Sequence, residues 1–158
     1  MSKRIVESIW LSEFINDYLA PDLRMLGFRK KRRRFRKDRG AFFEYYSFED
    51  RRSVSEFFLW VGVEFKDISS QKYSSILTHC QIHWAMPIHR VLSEAPKYFA
   101  YDIKTSKDDL KETVVKLISN AGDVIDKDVE LIRQKISNHI LLHDEWKEEI
   151  LSQFFLIR

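Results

Sequence analysis

Glu64-Phe65-Lys66 places a carboxylate and an ammonium two residues apart, on one face of a predicted strand. That is the E-x-K ending found in metal-dependent nucleases. Carboxylates there hold Mg²⁺, and the lysine orients the attacking water. A second carboxylate is required. Asp50 fails on geometry: it sits in the turn of the same hairpin, which leaves Glu64 about 40 Å along the strand. Folding that hairpin about residues 51 and 52 sets Glu64 opposite Arg39 and beside Asp38. Asp38, Glu64 and Lys66 are therefore the remote catalytic candidates, in surroundings crowded with cations. The motif is short and common, so it supports a nuclease only as the last of three readings.

The other chemistry-bearing residues point less far. His79 and His83 share a strand face but stand two pleats apart, about 13 Å, too far to chelate one metal. His139 and His143 have the spacing of one helical face but no third ligand beside them. All four read as solvated or hydrogen-bonded histidines. Cys80 alternates with apolar residues and reads as a small buried hydrophobe. No nucleophile elbow, phosphate-binding glycine loop or dinucleotide fingerprint occurs. No metal or cofactor is expected.

Residues 29–39, RKKRRRFRKDR, carry nine cations against one carboxylate. The rest of the chain holds 18 cations and 23 anions, so a mildly acidic body bears a concentrated basic ribbon. Neighbouring cations on one strand face stand about 7 Å apart, which costs roughly 0.6 kcal/mol per pair in water and about 2.4 at an effective dielectric of 20. The ribbon should therefore stay in solvent, with Phe35 as its one inward anchor. Three roles suit it. Lysine and arginine on an edge strand block sheet-to-sheet aggregation. An acidic protein surface would be attracted to Arg29, Lys30, Lys31, Arg32, Arg33, Arg34, Arg36, Lys37 and Arg39. Nucleic acid would meet the same cations, with Phe42, Phe43, Tyr45 and Tyr46 available to stack on bases. Against this last role, RGAFFEYY only faintly echoes an RNA-recognition strand. Ala41 stands where an aromatic is wanted, and the order of elements is wrong.

The elements that must position these residues follow from periodicity. Residues 4–20 have the apolar spacing of an amphipathic helix, which Pro21 ends or offsets. A short second helix stops at Gly27, the left-handed terminus that glycine favours. Residues 37–40 and 49–53 are turns, with Gly40 suited to positive φ. Strands are expected over 41–48 and 54–66, the latter apolar on both faces and hence central. A further strand is expected over 77–86 before Pro87. Thr105 or Ser106 caps a C-terminal helical region, in which Gly122 is a candidate break and 146–155 a third apolar stripe. The fold class is α+β: an N-terminal helix, an antiparallel meander of three to four strands, and C-terminal helices packed on the sheet.

One domain of 158 residues is expected, with few glycines and prolines and thus no evident linker. The lone cysteine, the lack of a leader pattern and the lack of a long apolar run point to a cytoplasmic protein without a membrane span.

Leu23, Leu26, Gly27, Phe28, Lys31, Phe35 and Arg36, followed by two aromatic-rich strands, carry a resemblance to a known family. Over about the first 65 residues the chain resembles the bacterial domain-of-unknown-function family 4304, though with a heavier basic run. The resemblance implies a small bacterial α+β domain and supplies no catalytic residues. Similar small domains often act as immunity or partner proteins in toxin systems, an analogy of context rather than of site. The expected function is a non-enzymatic module that binds an acidic protein partner through residues 29–39, with toxin neutralisation as one version. Nucleic-acid binding through the same tract is the alternative.

Overall fold

The computed structural model describes residues 2–51, 54–68 and 84–140. Helix α1 (Lys3–Glu13) is capped by Ser2, whose side chain accepts from the backbone N–H of Ile5. It passes without a break into a π-helical turn (Phe14–Leu19) and then α2 (Ala20–Met25). Pro21 thus offsets the helix rather than ending it. It falls in the first turn after the widened π segment, where a missing N–H is best tolerated. Gly27, at φ +94°, closes α2 as expected.

Among the described residues six strands follow, all antiparallel: β1 (Phe28–Lys31), β2 (Arg34–Asp38), β3 (Phe42–Arg51), β4 (Glu56–Phe65), β5 (Trp84–Pro87) and β6 (Phe99–Ala100). They lie in the order β1-β2-β3-β4-β5, with β6 beside the other half of β4 on the same edge as β5. β4 is central, as its two-sided apolar load predicts. A short helix α3 (Ile88–Val91) follows β5, and a single 34-residue helix α4 (Lys107–Ile140) ends the described chain. Ser106 caps α4 by accepting from the Asp109 N–H, while Thr105 is taken up in a turn with Asp102.

One core joins the helices to the inner face of the sheet. Phe35, Tyr46, Phe48, Phe57, Leu59, Val61, Val63 and Phe65 lie against Leu11, Phe14, Ile15, Val114, Ile118 and Ile125. Trp10 stacks on Tyr101 at 4.7 Å and Phe57 on Phe99 at 5.0 Å. The opposite parity of the strands forms an outer face, where Phe43, Tyr45 and Ala85 make a small separate cluster.

Three expectations are corrected. The basic tract is itself a hairpin, β1 and β2, turning at Arg32 (φ +56°), so the sheet has more strands than the meander foreseen. The hairpin of β3 and β4 closes between Arg51 and Glu56, not about 51 and 52. Glu64 therefore faces Phe43, not Arg39. This register sets Phe42 against Phe65 and forms an Arg51–Glu56 ion pair at 2.8 Å, whereas the tighter turn forgoes both. Gly122 does not break α4, which runs through it from Lys107 to Ile140. The expected strand residues 77–83, with His79, Cys80 and His83, lie outside the described residues. So do His143, the third apolar stripe and the side chain of His139.

Candidate binding site on the cationic hairpin

β1 and β2 present their cations on alternate faces because side chains alternate along a strand. Cross-strand pairing puts Arg29 beside Arg36 and Lys31 beside Arg34 on the outer face, with Tyr45 next to Arg36. Phe35, as foreseen, is the buried anchor that holds the hairpin down. Among the described residues Arg39 alone of the nine cations is in a salt bridge. Arg29, Lys30, Lys31, Arg32, Arg33, Arg34, Arg36 and Lys37 have no carboxylate within 4 Å there, although Arg36 is near enough for its charge to be felt at Asp38, Tyr45 and Glu64. Several rest on rings instead. The Arg36 guanidinium lies 4.4 Å from the Phe43 centroid, Arg34 5.9 Å from Tyr45, and the Lys37 ammonium 5.6 Å from Phe28. Such contacts orient a cation without neutralising it. The Arg34 Nε is buried and finds no hydrogen-bond acceptor among the described residues.

Arg39 belongs to a different structure. It donates to Glu44 and to Asp126 of α4, and Tyr46 Oη donates to Glu44 Oε2 at 2.7 Å. The same hydroxyl lies 3.1 Å from the Ile118 carbonyl oxygen. Glu44 is 2% exposed, the one buried ionisable carboxylate of the described core. Burial opposes the Arg39 charge, but hydrogen bonding to Asp126 and the nearby Glu44 carboxylate outweigh it and raise its pKa. Gly122 lies against this pair: a Cβ there would meet Glu44 Oε2 at 3.4 Å and an Arg39 terminal nitrogen at 3.7 Å, ordinary contact distances, so a methyl fits and a larger side chain does not. Arg39 and Tyr46 are thus corrected from partner-binding residues to parts of an internal staple between β3 and α4. Tyr46 is fully buried and cannot stack on a base. Glu44 was legible only as a carboxylate in the apolar parity of β3. Asp126 gave no signal at all.

Tyr45 is only 7% exposed, and its hydroxyl donates to Glu64 at 2.7 Å. Burial and the Glu64 carboxylate push its pKa up to about 12. Burial likewise raises the pKa of Glu64, against the hydrogen bond from Tyr45 and the charge of Arg36. Lys66 donates to Asp38 at 2.6 Å, a bond that lowers the Asp38 pKa. The E-x-K residues and Asp38 therefore do share the outer face, in the cross-strand row Asp38, Phe43, Glu64. Phe43 stands between the two carboxylates, however. Among the described residues no three His, Cys, Asp or Glu side chains gather closely enough to hold a metal. No described helix is long and apolar enough to cross a membrane. Comparison of the chain with protein families, with curated proteins and with solved structures finds no match.

Proposed function

We propose that this chain is a non-enzymatic binding module whose β1–β2 hairpin engages an acidic surface on a partner protein. The observation that carries the reading is the contrast within one tract. Arg39 is neutralised by Glu44 and Asp126, while the eight cations before Asp38 have no carboxylate partner among the described residues. Holding so many like charges together is unfavourable, and an anionic ligand relieves it. Phe42, Tyr45 and Tyr46 are buried, and Arg36 and Lys66 already lie over the half-buried Phe43 ring, which supports a protein partner over stacked bases. Kinship with the bacterial family 4304 and a toxin-neutralising role are the concrete version of this proposal.

The test is fluorescence anisotropy with poly-L-glutamate and with a DNA duplex, each across a salt series. The polyacid should bind, and the triple reversal Arg29→Glu, Lys31→Glu, Arg36→Glu should abolish binding. Tighter binding of the duplex, with a log–log salt slope of about −3.6 for four neutralised phosphates, would shift the assignment to nucleic acid. Absence of binding to either at low salt would remove the functional role of the tract.

A further inference from the structure

The edge of the sheet is where the hairpin and the backbone meet. Arg39 N–H donates to the Phe42 carbonyl at 2.8 Å and Phe48 N–H to the Arg33 carbonyl at 3.0 Å. Odd-numbered residues of the β2 line therefore aim their backbone groups at β3. By the alternation of an antiparallel ladder, Arg34 and Arg36 aim theirs at β1, and their partners Lys31 and Arg29 aim back. That leaves the N–H and C=O of Phe28 and Lys30 directed away from the sheet. Among the described residues β1 pairs with β2 as its one strand neighbour, and no backbone hydrogen bond reaches Phe28 or Lys30 from the open side. Met25, 89% exposed, and Leu26 immediately precede this edge and add apolar surface at its start.

We propose that β1 is a docking edge onto which an extended acidic segment of the partner adds as a further strand, its carboxylates meeting Arg29, Lys31 and Arg32. The inference rests on the binding reading above and specifies the mode. Backbone hydrogen bonds from Phe28 and Lys30 supply affinity, and alternate side chains supply specificity. A second copy of this chain is the disfavoured occupant, because β1 against β1 sets arginine and lysine against themselves. An acidic strand reverses the sign of that interaction.

The probe is a labelled heptapeptide of alternating glutamate and valine, with two twins N-methylated at every second residue, one in each frame. Methylation leaves the charge intact but removes the N–H groups on one edge of the peptide. Only the frame that faces β1 should weaken binding, roughly tenfold or more, the equivalent of one or two hydrogen bonds. On the protein side, Lys30→Pro removes an outward N–H, a substitution edge strands tolerate, and Lys30→Gln controls for the lost charge. Lys30→Pro should bind at least about tenfold more weakly than Lys30→Gln. Equal binding of both methylated twins overturns strand addition even if Lys30→Pro fails to fold, since those peptides are measured on the unaltered protein. If the parent peptide fails to bind while poly-L-glutamate binds, strand addition falls and the acidic-partner reading stands. If neither binds, both fall.

Discussion

Glu44 is the residue on which the packing of α4 against the sheet turns. Its carboxylate accepts from Arg39 and Tyr46 in surroundings that admit almost no water. Truncation to alanine would leave Arg39 with Asp126 alone and the Tyr46 hydroxyl with the Ile118 carbonyl alone. Because Arg39 keeps Asp126 and is partly exposed, the loss is that of hydrogen bonds to one charged group, about 1–3 kcal/mol, and Glu44→Ala should lower the urea midpoint clearly. Gly122 gives the companion test. Alanine gains about 1 kcal/mol of helix propensity, and its methyl only touches the carboxylate at ordinary contact distance. Gly122→Ala should fold with near-native stability, while Gly122→Leu should approach the Glu44→Ala loss. Tyr45 supplies a pH dependence. Its folded pKa, about 12, lies above the ordinary phenol value. The stability it contributes is complete below about pH 10 and disappears as pH rises through 12. Burial also raises the pKa values of Tyr46 and Tyr101, so ultraviolet phenolate titration should show a late-titrating group of tyrosines, and Tyr45→Phe should remove one phenolate from it.

At the scale of the element, the hairpin combines backbone strain with charge. Arg32 holds φ +56°, a conformation that costs non-glycine residues about 1–2 kcal/mol. Arg32→Gly should therefore stabilise the fold by about 0.5–1 kcal/mol in chemical denaturation, glycine's own entropy taking back part of the gain. The charges also keep the edge from pairing with itself. Replacing Arg29 and Lys31 with threonine should leave the monomer folded yet promote concentration-dependent self-association, visible by light scattering. In the N-terminal helix the π-helical turn has a comparable local cause, since it precedes the proline that lacks a donor.

For the molecule as a whole, binding and stability should respond differently to salt. The ion pairs that tie the elements together, Lys107–Glu13, Lys111–Asp22 and Arg133–Asp67, are partly exposed and contribute little each. The core beneath them is aromatic and aliphatic. Raising salt from about 0.1 to about 0.5 M shortens the screening length to a few ångströms. It should weaken polyacid binding strongly while shifting the thermal midpoint by only a few degrees. A parallel collapse of both would mean that the cations serve the fold.

What was legible in the sequence was local. Thr105 or Ser106 before an acidic turn announced the start of α4, Gly27 and Gly40 announced their positive φ, and Phe35 alone among cations announced its burial. Alternating and helical periods sufficed for the α+β class, because each is set by side chains within a few residues of one another. Tertiary structure alone decided the rest. The Glu44–Arg39–Asp126 staple joins residues up to 87 apart, and the β3–β4 register is chosen by which aromatics meet across strands. Gly122 is a candidate break by type alone, yet α4 continues through it. Nothing in the nine cations' order told Arg39 from the eight that have no carboxylate partner among the described residues. Proximity across the fold made that distinction, and proximity is not encoded in any short stretch of chain.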